Sequence, residues 1–515
     1  MTLRARTLRN TLFSSVAMYT EFALGMFTSI VIARHLGPEG FGAYSGVIWL
    51  VGMGVAATNS GTASAAIKFV AELRGAGRPA LVRPLVAYLR RTQRIFLALV
   101  LVVGALALWL AGHKVAPAFD HRLLFGFLAV AISLRASYMF NIGVAKGLED
   151  FRINAMVAAV STPLNLAMVA LVMWWHKPVE WLLGVFLVSS VVFFAMSQSQ
   201  VQPLLPPGDR KPALPPDLVP RIRRQMLYST LIVTIGFIIS SEVEVMFLNA
   251  GHLAHDAGQF KVGYQLASGA ALLVPGVFGA LLLPMMANAL SQGREVAGHR
   301  FAASTAYLSL LAAPLVAFGI VLSHALIAVL YGVQYGSAAA VFAVCLTGCA
   351  LITTAQGASS LLVSADRQRL VLIVIALCGL SKLGLDAWLI RVDGLRGALI
   401  AFGAVAALNV IAYTTLAVRE CGVHPDWGRI ARTVLASLLS VAPLALLHPY
   451  LPPIPELAAG AALAALYLPW TLALRCWSRN DVAHMRELHA RLLRGRPQAI
   501  ARLLDWGQAR LGDTT

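Results

Sequence analysis

Apolar residues in this chain fall into blocks of about 20, each long enough to cross the ~30 Å hydrocarbon core of a bilayer as a helix. Candidate spans lie near 11–33, 43–66, 95–112, 123–145, 153–175, 180–200, 226–249, 262–288, 303–330, 338–364, 370–390, 397–418, 433–449 and 457–474. Backbone groups inside lipid have no water to bond, so a chain that crosses repeatedly does so as helices or as a closed barrel, and blocks of this length select helices. Composition agrees: 58% of the 515 residues are hydrophobic and 12% are charged, against roughly 25% charged in soluble domains. The chain therefore reads as an all-α polytopic membrane protein of about 14 transmembrane helices.

The charges test that count. Lys and Arg number 41 against 23 Asp and Glu, a net +18 that in a soluble chain would point to nucleic acid. Here 32 of the 41 fall in alternate loops and termini, seven fall in the others, and two, Arg135 and Lys382, lie within spans. Cytoplasmic segments of membrane proteins carry this kind of excess, and one missed helix would exchange the sign of every later loop. The pattern predicts an even number of crossings with both termini in the cytoplasm, and no nucleic-acid partner. The first span, basic at its start and without a small-residue cleavage site, reads as an uncleaved signal-anchor. The outer loops are short, so function lies among the helices.

Several chemistries are excluded by what the loops and spans lack. The chain has no G-x-x-x-x-G-K-[ST] phosphate loop and no H-E-x-x-H zinc motif. Gly52-x-Gly54-x-x-Ala57 lies inside an apolar span and reads as helix packing. Cys345 and Cys349 share a helix face but read as small packing residues, and His252, His255 and Asp256 as a polar surface cluster. No cofactor, metal, disulfide framework or catalytic residue is expected.

Seven prolines between Pro203 and Pro220, interleaved with Arg210, Lys211, Arg221, Arg223 and Arg224, break the chain after the sixth span. They predict a non-helical linker. The organisation reads as a six-helix bundle over 1–201, a linker over 202–224, a second six-helix bundle over 225–418, two further helices over 429–477, and a basic tail over 478–515. A constant offset of 216 aligns Gly42 with Gly258, Ala71 with Ala287, Gly77-Arg78 with Gly293-Arg294, and Asp150 with Asp366. Six helices per half is even, so the halves are parallel repeats related by an axis along the membrane normal. Two such bundles are an architecture of alternating-access transporters.

The run from Ile32 through Arg34-His35-Leu36-Gly37-Pro38-Glu39-Gly40-Phe41-Gly42 to Ser45 resembles the first outer loop of the Wzx-like polysaccharide flippases. These form a branch of the multidrug/oligosaccharidyl-lipid/polysaccharide exporter superfamily. Ala71-Glu72-Leu73-Arg74-Gly75, Tyr331-Gly332 with Tyr335, and Gly394-Leu395-Arg396-Gly397-Ala398 continue the resemblance along the chain. It implies two six-helix bundles plus two C-terminal helices in a bacterial cytoplasmic membrane. It also implies translocation of a lipid-linked, undecaprenyl-diphosphate-type oligosaccharide, with polysaccharide biosynthesis enzymes as further partners. A cation-coupled drug or metabolite exporter, a lipid-linked peptidoglycan-precursor flippase and a membrane glycan polymerase are the alternatives.

Ionisable residues within spans cost about 2.5–3.5 kcal/mol each on insertion scales and therefore mark candidate sites. Arg135, in the fourth span, stays protonated even when buried and needs an anion. That anion is either a helix carboxylate such as Glu21 or a diphosphate or acidic sugar entering from outside the protein. Lys382 and Asp386 are four apart on one helix face and form either an ion pair or part of a lumen. The resemblance implies a cationic lumen for the diphosphate and glycan, to which Arg135, Lys382 and the uncharged Asn141 are assigned by position. Glu21, Glu242, Glu244 and Asp386 are the candidates for coupling to a proton or sodium ion. Glu242 and Glu244 are about 200° apart around a helix, so they cannot share one cavity centre. The tail carries Val482, Met485, Leu488 and Leu492 on one face and reads as amphipathic helices on the anionic leaflet.

Overall fold

The computed structural model describes residues 3–115, 120–206, 214–240, 243–272, 276–478, 481–483, 486–487, 502, 505–506 and 508–509. It is helical, with no strand among those residues. The helices are α1 (Leu3–Gly75), α2 (Val82–Val115), α3 (His121–Gly147), α4 (Arg152–Trp174), α5 (Val179–Val201), α6 (Leu218–Ser240), α7 (Val243–Ala250) and α8 (Ala254–Ala271). They continue with α9 (Gly276–Gln292), α10 (Arg294–Val321), α11 (Ser323–Leu330), α12 (Ala338–Thr354), α13 (Gln356–Ser364), α14 (Gln368–Cys421), α15 (Trp427–Leu447), α16 (Pro453–Ala464) and α17 (Tyr467–Ala473).

Ten helical stretches among the described residues are long and apolar enough to cross a membrane. Two of them turn sharply and each holds two expected spans. In α1 the turn is at Gly37, with φ 69° and ψ 177°, followed by Pro38; in α14 it is at Gly394, with φ 52° and ψ −125°. The Gly37 conformation belongs to a region that side chains clash out of, and the next residue has no N–H to continue the helix. The expected spans at 226–249 and 262–288 fall on α6 with α7 and on α8 with α9, with residues 241–242 and 273–275 between them outside the described set.

The chain divides into two compact units, Met1–Lys261 and Val262–Thr515, with the boundary inside α8. The expected linker over 202–224 ends earlier than the prolines imply. Residues 207–213 lie outside the described set, and α6 already starts at Leu218 with Pro220 in its first turn, where a missing N–H breaks no helical bond. In the first unit α6 packs on α1, as do α3 and α4. Phe69, Leu85, Leu89, Phe140, Val157 and Ile222 from α1 to α6 form its main core. The second unit has its own core around Met286, Phe301, Leu361 and Ala417.

Large apolar side chains are also exposed, among them Val102, Trp109, Trp174, Leu380, Ile411 and Leu446. In water that would be a liability; for helices sheathed in lipid it is the expected outer surface.

The internal repeat has structural counterparts. Gly77 and Gly293, aligned by the offset of 216, both adopt positive φ. Gly42 and Gly258, the other aligned glycines, meet at a close crossing of α1 and α8. A Cβ on Gly42 would lie 1.9 Å from the Ala254 carbonyl oxygen, and one on Gly258 would lie 1.9 Å from that of Pro38.

Candidate functional site: a polar cavity in the first unit

Helices α1, α3, α4 and α5 enclose a cavity of about 520 Å³ within the first unit. Helix α3 is anchored at its start by Asp120, whose carboxylate accepts bonds from the backbone N–H groups of Arg122 and Leu123. It packs closely on α1 through Gly143 and Gly147, which sit against Ala63 and Ala66. That contact fixes which side of α3 faces the cavity: Arg135, Tyr138, Met139, Ile142 and Lys146 all line it. Asn154, Thr162 and Asn165 reach it from α4, and Ser189 and Phe193 from α5.

Among the described residues the lining holds two cations and no carboxylate. Arg135 donates from Nε to Ser190 Oγ at 2.9 Å. Its guanidinium lies 4.3 Å from the Phe193 ring centre and 4.8 Å from that of Phe186. Both rings lie within the range over which an aromatic face attracts a cation. The hydroxyls of Thr162 and Ser189, both buried, have no hydrogen-bond partner among the described residues. A buried hydroxyl left unbonded costs about 1–3 kcal/mol, which a ligand oxygen at this place would recover.

The other expected residues are placed as follows. Asn141 is buried beside the cavity and is not among its lining residues. Its amide nitrogen donates to Ser197 at 3.1 Å and Gln198 at 3.0 Å, and its oxygen accepts from Arg90 at 2.8 Å. Glu244 is buried in α7. Glu21 lies on the α1 backbone with its side chain outside the described residues, and Glu242 lies outside them altogether. Lys382 and Asp386 belong to the second unit, where Nζ stands 3.5 Å from the carboxylate and both are almost wholly buried; Phe402 covers the ammonium at 5.6 Å. The two form an ion pair. The residues that sequence reasoning did not single out are Lys146, Asn154, Thr162 and Ser189. Lys146 was hidden among the inside-loop cations, and the other three are of residue types too common in spans to stand out.

The tail is docked where it leaves the second unit. Asp481 accepts from Tyr307 at 2.6 Å and from the Ser478 backbone at 2.9 Å, and pairs with Arg429 at 3.5 Å. Most of the expected amphipathic tail lies outside the described residues.

A family model described as "Polysaccharide biosynthesis protein" matches residues 7–290, just over half the chain. No curated protein matches. Among solved structures, the lipid II flippase MurJ in an inward closed conformation aligns with TM-score 0.68 at 12% identity. It covers 89% of this chain and 98% of that one. A multidrug resistance MATE family transporter of the MOP superfamily aligns in its inward-facing conformation with TM-score 0.61 at 13% identity, over 80% and 98%. An outward-facing MATE structure aligns with TM-score 0.53 at 15% identity, over 81% and 95%. At these identities the likeness is one of fold.

Proposed function

The chain belongs to the polysaccharide biosynthesis protein family, and from that premise we propose that it flips a lipid-linked oligosaccharide of the undecaprenyl-diphosphate type. The direction is from the cytoplasmic to the outer leaflet of the bacterial inner membrane, by alternating access, with both termini in the cytoplasm. The observation that carries the reading is the first unit's cavity, whose described lining presents two cations, no carboxylate, and two buried hydroxyls without a partner among the described residues.

Such a lining favours an anion rich in oxygen acceptors. Arg135 offers the planar fork that binds phosphate oxygens in pairs, while Thr162, Ser189 and Asn165 offer donors around it. A cationic drug would meet like charge from Arg135 and Lys146, which selects against it. The lipid tail has no reason to leave the bilayer, and only the head group needs the polar path. Buried carboxylates, Glu244 in the first unit and Asp386 in the second, are the groups we assign to coupling with a proton or sodium ion, Lys382 holding the charge of Asp386 in the state seen here.

The test is made in cells. A strain lacking the protein accumulates lipid-linked oligosaccharide on the cytoplasmic face and loses surface polysaccharide; the wild-type gene restores it, and Arg135→Gln at equal membrane abundance does not. Unchanged surface polysaccharide in the null strain contradicts the reading.

A further inference from the structure

Helices α11, α12, α15 and α16 of the second unit surround a cavity of about 310 Å³. It lies at the end of these spans that the charge pattern assigns to the outside. Ala325, Ala328, Gly332, Gly336 and Ala339 leave the space, and the ionisable side chains of the described lining are His324, His448 and Glu456. The two imidazole centres stand 6.5 Å apart.

Glu456 is buried, and its one partner among the described residues is His448, whose Nδ1 stands 2.7 Å from Oε1. The start of a helix usually offers N–H groups to a carboxylate in its first turn, but here Pro453 and Pro455 have none to offer. A buried carboxylate with a single partner needs a charge to balance it. Because a carboxylate only accepts, Nδ1 of His448 carries the hydrogen, and in the neutral ring Nε2 keeps its lone pair. On His324 it is again Nδ1 that is turned to a neighbour, the Ser323 hydroxyl at 3.5 Å. Each ring therefore has Nε2 without a partner among the described residues.

A histidine whose Nδ1–H is held by a carboxylate while Nε2 stays open has the arrangement of a metal ligand with its supporting carboxylate, and imidazole is a preferred donor for zinc, copper and nickel. We propose that His324 and His448 bind a divalent transition-metal ion of the zinc class through Nε2. Glu456 fixes the His448 ring and balances the ion's charge without bonding to it. No three side chains among the described residues are placed to hold a metal together, so water fills the remaining positions. With ion-to-nitrogen bonds of about 2.0–2.1 Å the ring centres come to about 5–6 Å, a closure of roughly 1 Å that falls to the exposed His324 ring. The bound ion straps the start of α11 to the turn between α15 and α16, whatever substrate the protein carries.

The test is zinc binding by the full-length, untagged protein in lipid nanodiscs, followed by titration calorimetry at about pH 7.5 because ligand imidazole must be neutral. Calcium, which prefers oxygen donors, is the comparison ion. The wild type binds zinc and not calcium. His324→Ala, at an exposed position where folding is undisturbed, weakens zinc binding at least about tenfold, and Glu456→Gln weakens it about 10–100-fold through the loss of the supporting carboxylate. His255→Ala, in the separate outer cluster of the first unit, leaves this binding unchanged. Absence of zinc binding by the wild type, or an affinity that His324→Ala or Glu456→Gln leaves unchanged, overturns the site.

Discussion

Replacing Gly42 by alanine puts a methyl group 1.9 Å from the Ala254 carbonyl oxygen and 2.7 Å from the Gly258 nitrogen. Ordinary contact begins at 3.4 Å, so the first approach is about 1.5 Å too close. Both opposing atoms are backbone, and no rotamer relieves the overlap; α1 and α8 must separate by about that distance and lose their packing along the crossing. Overpacking of this kind costs typically 1–3 kcal/mol, and backbone on the far side places it at the upper end, about 3 kcal/mol. For a unit of this size that lowers the melting temperature by roughly 6–12 °C. The assay is thermal unfolding of purified protein in nanodiscs, followed by tryptophan fluorescence. Gly258→Ala has a loss of the same order, since its Cβ meets the Pro38 oxygen at 1.9 Å. The double variant loses less than the sum, because helices already parted accommodate both methyls. Gly104→Ala and Gly184→Ala are the controls. Each Cβ meets nothing within 4 Å, and alanine in a helix interior is favoured by about 0.5–1 kcal/mol, so these changes raise the melting temperature slightly. A Gly42→Ala protein that melts with the controls refutes the close crossing.

Three further outcomes follow from particular contacts. Lys382→Met alone leaves Asp386 buried without its counter-ion and costs about 3–5 kcal/mol, whereas Lys382→Met with Asp386→Leu stays near wild type; melting curves of the single and double variants decide it. Asp481 is pushed up by burial, but its hydrogen bonds from Tyr307 and Ser478 and the Arg429 charge outweigh that and hold its carboxyl below the usual 3.8. A depressed carboxylate stabilises above its unfolded value and loses that as pH falls through the folded one, so hydrogen exchange at Ser478 and at 481–483 stays slow down to about pH 4 and speeds up below it. Gly37→Ala forces a side chain into the conformation at φ 69° and ψ 177°, costing about 1–3 kcal/mol, and lowers folded yield in the membrane.

Much of this architecture was legible in the apolar blocks, because in lipid a block of that length has one solution. The turn at Gly37-Pro38 was legible for the same reason: only a short polar run with glycine and proline separates two blocks. Pro220 misled, since a proline in the first turn of a helix looks in sequence like one in a linker. In the site, Arg135 stood out as a charge inside a block; in the second unit the Lys382–Asp386 pair stood out by its spacing. Lys146 is the penultimate residue of α3 and was counted among loop cations. Its signal was there, in the shared 11-residue spacing of Arg135–Lys146 and Asn165–Asn154, but that spacing acquires meaning only once α3 and α4 are known to enclose one cavity.

The most direct measurement is translocation itself. Purified protein is reconstituted into vesicles with a fluorescent polyprenyl-diphosphate-linked oligosaccharide, and the fraction reaching the opposite leaflet is followed by quenching. Wild-type vesicles move the lipid across, and Arg135→Gln vesicles with equal protein incorporation do so at least about tenfold more slowly, in line with the loss of one charge-assisted contact. Translocation at the wild-type rate by Arg135→Gln, or none above protein-free vesicles by the wild type, contradicts the account.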